Sequence, residues 1–296
     1  MRSSSPWLGG VLILCAAMLP SSAAGGEHEH HGLWVWKTSS VLDSAQASKA
    51  LRDFCASNGV DEVYLSFSSK QSKSDEQRLA DCVAELHRAH LAAAALLSST
   101  DADEPGKARD RFLAHVNEVV EFNRQHHPAE RFDGIHLDIE PYQRAENKGA
   151  GNLAFLPNEI EVLRLVRSAA EGAKMGVDAD IPVKVLKADR EQRRALLRSV
   201  TRVTLMLYEL SNPSDGQSAQ EQTDKLAEQA GKYLKMAYEG VDDADAARMT
   251  VALRTADYQA LLPRMLSSLD ATFDGNPHYG GWARHSYNDT LSSNSQ

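Results

Sequence analysis

The sequence predicts a (β/α)8 barrel as a single domain, on three observations. Strand-like apolar runs alternate with helix-like amphipathic segments from residue 32 onward, and eight such runs fit in roughly 260 residues. The stretch Gly134–Glu140 sets Ile135, Leu137 and Ile139 against His136, Asp138 and Glu140 at the two-residue period of a strand, with a polar face that ends in two carboxylates. No glycine-rich phosphate loop follows the first run, and no linker interrupts the alternation, which argues against a doubly wound open sheet.

Residues 1–24 read as a secretory signal, with Arg2, an apolar run from Leu8 to Leu19, and Ser22-Ala23-Ala24 as the cleavage site. The run is too short to span a membrane, so the mature chain is expected to be secreted or periplasmic. Leu14, directly before Cys15, is large where a lipoprotein signal wants a small residue. Residues 25–31 form a polar leader whose histidines could hold a metal weakly but which reads as a solvated linker. The barrel itself is assigned to residues 32–290.

Within it, Gly32–Trp36 is the first strand, with Leu33 and Val35 opposite Trp34 and Trp36. A helix from about Val41 ends at Asn58-Gly59, a left-handed stop signal. Glu62–Phe67, Leu91–Ser98, Gly134–Glu140, Val177–Ile181, Arg202–Tyr208, Met249–Arg254 and Tyr279–His285 supply the remaining strands. Helices fall at about Ser74–His90, Lys107–Gln125, Asn158–Lys174, Arg190–Arg198, Gln222–Tyr238 and Tyr258–Leu269. Cys55 and Cys82 sit on consecutive helices and lack the spacing of a zinc site; a disulfide and two buried thiols both remain open. The formal charge of −9, without a basic stripe, argues against a nucleic-acid partner.

Strand ends in a parallel barrel converge on one mouth, so same-parity residues can be read as neighbours. The inward set comprises Trp34 or Trp36, Tyr64, Ser66, Asp178, Asp180, Met206, Tyr208, Arg254 and Trp282. Carboxylates among aromatic faces suit a sugar, whose CH-rich faces stack on indoles and whose glycosidic oxygen must receive a proton. The expected partner is therefore a carbohydrate substrate, with Trp36, Tyr64, Asp178, Met206, Arg254 and Trp282 binding it, and with no cofactor and no metal.

Asp133-Gly-Ile-His-Leu-Asp-Ile-Glu140 resembles the fourth-strand signature of glycoside hydrolase family 18, the chitinase-like barrels, at Asp133, Asp138 and Glu140 of the pattern Asp-x-x-Asp-x-Asp-x-Glu. Met206-Leu-Tyr208-Glu209 resembles the family's Met-x-Tyr-Asp, and Trp282 is similarly placed to a Trp on the floor of the family's sugar site. The resemblance implies a substrate-assisted retaining hydrolase of an N-acetylhexosamine-containing glycan. Glu140 would be the acid and base, Asp138 would hold the substrate's amide N–H, and Tyr208 would bind the acetamido carbonyl. Asp133 and His136 would support them from behind, His136 standing where the family has an inner Asp and facing Asp138. The third strand lacks the family's Ser-x-Gly-Gly and the loops are short, which predicts a shallow or short site.

Other chemistries fit parts of the pattern. A conventional two-carboxylate retaining barrel wants Asn before the acid and a Glu ending the seventh strand, but Ile139 and Leu253–Asp257 supply neither. A metal-dependent hydrolase could use the row His136, Asp138 and Glu140. A non-catalytic glycan-binding barrel could use the same mouth without cleaving anything.

Overall fold

The computed structural model describes residues 29–68, 72–149, 151–208, 217–241 and 246–289. The expected signal at 1–24 and most of the leader lie outside them. Eight parallel strands close in sequence order into one barrel: β1 (His30–Val35), β2 (Glu62–Ser66), β3 (Ala92–Ser99), β4 (Gly134–Ile139), β5 (Gly176–Pro182), β6 (Arg202–Met206), β7 (Arg248–Arg254) and β8 (Tyr279–His285). β1 begins at His30 because His30 and His31 pair with Gly281 and Trp282 of β8, so the end of the expected leader is part of the barrel wall.

Nine α-helices surround the strands: α1 (Thr38–Leu42), α2 (Ala45–Asn58), α3 (Lys73–Arg88), α4 (Lys107–Gln125), α5 (Leu156–Glu171), α6 (Arg190–Leu197), α7 (Ala219–Tyr238), α8 (Thr255–Tyr258) and α9 (Leu262–Phe273) among the described residues. The helix expected from Val41 is two, because Ser44 accepts from the Ala47 N–H at 3.1 Å and restarts the chain as a capped helix. Gly59, at φ 66°, ends that helix in the left-handed conformation that a side chain would resist. The helix expected over 258–269 likewise splits, with Pro263 in the first turn of α9, where its missing N–H costs nothing.

Outward strand residues such as Leu33, Val35, Leu65, Ile135, Leu137 and Val251 pack under the helices as one continuous core. The interior holds a much smaller apolar cluster, Trp34, Tyr64, Ala94, Leu96, Ala252 and Ala283. The rest of the lumen is polar. Cys55 and Cys82 are buried and unbridged, and burial lifts their thiols to about 12 and about 11. No described helix is long and apolar enough to cross a membrane.

Candidate functional site

The alternation of β4 aims His136 and Asp138 into the lumen and brings Glu140 to the mouth directly after the strand. Pro141 then turns the chain, and that turn supplies partners for the acid it follows. The Tyr142 hydroxyl donates to Glu140 Oε1 at 2.5 Å and Gln143 Nε2 donates to Oε2 at 2.5 Å, so both carboxylate oxygens have fixed orientations. Arg144 locks the turn to the loop after β3 through a two-pronged bond to Asp103, 2.5 and 2.9 Å.

Below Glu140 the Asp138 and Asp180 carboxyl groups stack, with no ion pair to a Lys or Arg among the described residues. Asp138 is only 7% exposed, and burial first, then the Asp180 and Glu140 carboxylates, push it up to about 9. Asp180, buried on β5, is also raised, by burial and then by Glu140. His136 Nε2 lies 2.9 Å from Asp180 Oδ1, and burial lowers the imidazole to about 4, so a neutral ring and a raised carboxyl share one proton. The ring is fixed from its faces: Tyr64 stacks on it at 3.7 Å and Trp34 meets it edge-on at 5.3 Å.

Aromatic groups ring the mouth. Trp36 donates its indole N–H to His285 Nε2 at 2.9 Å, and the Tyr208 ring lies beside His285 and under the Arg254 guanidinium at 4.9 Å. Met206 Sδ lies 3.9 Å from the Tyr142 hydroxyl. These groups open on a cleft of about 1320 Å³, larger than the roughly 300–1000 Å³ of a pocket for one small molecule. The short loops do not make a small site, because the residue 141–149 segment and the face of α7 with Lys232, Tyr233 and Met236 extend its walls.

The structure gathers Trp36, Asp138, Glu140, Met206, Tyr208 and Arg254 in that cleft. It places the other expected site residues elsewhere. Tyr64 faces inward but is sealed in the lumen beneath the cleft, its hydroxyl filling the space a side chain at Gly32 would need. Asp178 also faces inward, at a deeper level, where Arg202 donates to both Asp178 and Glu62 and holds the pair off any substrate. Asp133 precedes β4 at the opposite end of the barrel; it accepts from the Ala93 N–H at 2.8 Å and lies 2.9 Å from His87 Nε2. His136 pairs with Asp180 rather than Asp138, since Asp180 on the neighbouring strand lies at its ring edge.

Trp282 points out of the barrel, stacked on His31 at 4.2 Å and bonded to Asp270 of α9 at 2.9 Å. The cause is a register shift where Met249 pairs with Tyr279 but Thr250 pairs with Gly281. The extra residue flips the alternation, so Ala283 and His285 face inward. Gly280-Gly281 was the readable signal, since paired glycines inside a strand mark a bulge, and Gly281 adopts φ 103°. Tyr142, Gln143 and His285 are site residues the inward set lacks, and Asp180 belongs to that set but carries no binding role there. Asp180 has the parity of Asp178, but the sequence does not rank depth along the barrel axis. Glu209 lies outside the described residues.

No family model matches the sequence, and no curated protein matches it. Solved structures do. A chitinase from Chromobacterium violaceum is 13% identical, with a TM-score of 0.53 over 88% of this chain and 94% of that one. The Bacillus cereus spore cortex-lytic enzyme SleL is 9% identical, with a TM-score of 0.54 over 87% of this chain and 70% of its own. The PgaB (BpsB) glycoside hydrolase domain from Bordetella bronchiseptica is 11% identical, with a TM-score of 0.50 over 89% and 95%. At such identities the likeness is one of fold: the chain has the barrel of chitinases and related hydrolases.

Proposed function

We propose that the protein is an exported glycoside hydrolase that cleaves an N-acetylhexosamine-containing glycan by substrate-assisted catalysis, as its resemblance to glycoside hydrolase family 18 implies. The observation that carries the reading is the stack Glu140, Asp138 and Asp180, with no ion pair to a Lys or Arg among the described residues, opening on an aromatic-walled cleft. Glu140 gives a proton to the glycosidic oxygen as the C1–O bond breaks. The carbonyl oxygen of the sugar's own acetamido group bonds to C1, and Tyr208 steadies that carbonyl. Asp138 accepts the acetamido N–H, and the positive charge developing on the oxazolinium ring favours its ionised form. Water then attacks C1 as Glu140 takes its proton and the bond from C1 to the acetamido oxygen breaks, which restores both the acid and the acetamido group. Trp36, Met206 and Arg254 supply the walls that hold the sugar. The reading includes residues 1–24 as the export signal and residues 32–290 as the catalytic domain, with β1 starting earlier as described above.

The test uses two aryl glycosides that differ only in the 2-acetamido group. Wild-type protein should cleave the acetamido substrate alone, and Glu140→Gln should lower kcat by about 10²–10⁴-fold. Equal cleavage of both substrates would remove the substrate-assisted mechanism.

A second reading, a glycan-binding barrel without turnover, draws support from His136, which stands where the family's inner Asp would and shares its proton with Asp180. Glycan binding retained in both wild type and Glu140→Gln, with turnover in neither, would favour it. A metal-dependent hydrolase on His136, Asp138 and Glu140 loses support from the same geometry, since the His136 ring is closed off by Tyr64 and Asp180.

A further inference from the structure

On the far side of the barrel from the mouth, Glu29, His31 and Asp270 bring one imidazole nitrogen and two carboxylate oxygens within 4.8 Å of one another. From this geometry we propose a divalent transition-metal site of the Zn²⁺ class, with His31 Nε2, Asp270 and Glu29 as ligands, pinning the start of β1 to α9.

The position of His31 is the main argument. Its Nδ1 lies 3.0 Å from the Gly59 carbonyl, which accepts the Nδ1–H and leaves the Nε2 lone pair free. That Nε2 is buried and has no hydrogen-bond partner, yet it sits 3.4 Å from Asp270 Oδ2. A lone pair facing a carboxylate oxygen is repulsive unless a proton or a metal lies between them. Two atoms bound to one tetrahedral Zn²⁺ at about 2.0–2.1 Å lie about 3.3–3.4 Å apart, which is the separation observed.

The surroundings complete the case. Asp270 is oriented from behind by the Tyr279 hydroxyl and the Trp282 indole N–H, each at 2.9 Å, as carboxylate ligands commonly are. Trp282 also stacks on the His31 ring at 4.2 Å and fixes its plane. Two carboxylates and a neutral imidazole carry the charge that a dication balances, and water can take the fourth position. The competing occupant of the 3.4 Å gap is a proton, which would make His31 an imidazolium paired with Asp270 alone.

The experiment is a Zn²⁺ titration by calorimetry of the full chain stripped with chelator, with Co²⁺ absorption as a check on geometry. Glu29→Gln leaves the His31, Asp270 and Trp282 contacts intact, so it tests ligation without disturbing the fold; Asp270→Asn removes a second ligand, and His28→Ala controls for the histidine-rich segment before β1. One equivalent of Zn²⁺ should bind to wild type and raise its Tm, and Co²⁺ should show tetrahedral visible bands. Glu29→Gln and Asp270→Asn should each weaken Zn²⁺ by at least about tenfold, and His28→Ala should leave it unchanged. Absence of stoichiometric binding, or binding lost in His28→Ala and retained in Glu29→Gln, would overturn the site in favour of the ion pair or of the free histidines.

Discussion

The floor and the mouth of the lumen are built from the same residue types and treat charge in opposite ways. At the floor, Glu62 and Asp178 converge on one guanidinium, Arg202, which is itself buried. At the mouth, Asp138, Asp180 and Glu140 converge and none of them is ion-paired with a guanidinium or ammonium among the described residues, although Lys148, Lys184, Lys187 and Lys232 line the cleft; Arg254 is engaged over Tyr208 and with Asp257. β5 supplies one carboxylate to each region, Asp178 and Asp180, two residues apart on one face. The difference teaches that a lumen carboxylate serves structure when a buried cation answers it, and is available for proton transfer when only other carboxyls do. The fold closes the floor with an ion network and keeps protons at the mouth.

Arg202→Leu should break the comparison most severely. It leaves two buried carboxylates unpaired, and chemical denaturation should show a loss of about 3–5 kcal/mol. A loss below about 1 kcal/mol would mean that the floor tolerates unpaired carboxyls as the mouth does.

Asp138→Asn should act in the opposite direction. The folded-state pKa of Asp138 is raised to about 9 from 3.8, so the unfolded chain releases this proton first as pH rises. Its contribution to stability is therefore full below about pH 4, falls as pH rises toward about 9, and is constant beyond. The Asn variant escapes that penalty, so it should equal wild type near pH 4 and exceed it by about 2 kcal/mol or more at pH 8, while turnover falls. Denaturation midpoints at the two pH values check this, and a constant difference between them would show that Asp138 ionises normally.

The two tryptophans sharpen the distinction more gently. Trp36→Ala, in the cleft, should raise KM for the glycan by about tenfold. Trp282→Phe, outside the barrel, should leave KM unchanged and cost about 1 kcal/mol of stability through the lost bond to Asp270. A KM effect at Trp282 would return it to the sugar site.

The readable part of the site was its central strand. Period-two alternation alone separates His136, Asp138 and Glu140 from Ile135, Leu137 and Ile139, and the structure keeps that split. Parity also carried Trp36, Met206, Tyr208 and Arg254 to the mouth. It failed in two ways. Depth is invisible to it: Tyr64 and Asp178 face inward as read, but lie below the cleft, because their height depends on how adjacent strands are staggered. A bulge also reverses it, which is why Trp282 and His285 exchange faces. Contacts across the chain, such as Arg202 with Glu62 140 positions away, carry no local signal at all.

By itself the sequence determined the strand and helix order, the barrel they close into, and the carboxylates offered at the end of β4, because each follows from short-range periodicity and capping. The tertiary structure alone decided which lumen carboxylates meet Arg202 and which meet each other, that His136 serves Asp180, and that the end of the polar leader joins β1 beside Asp270. Protonation state depends on burial and on charges from other strands, and these exist only once the barrel has closed.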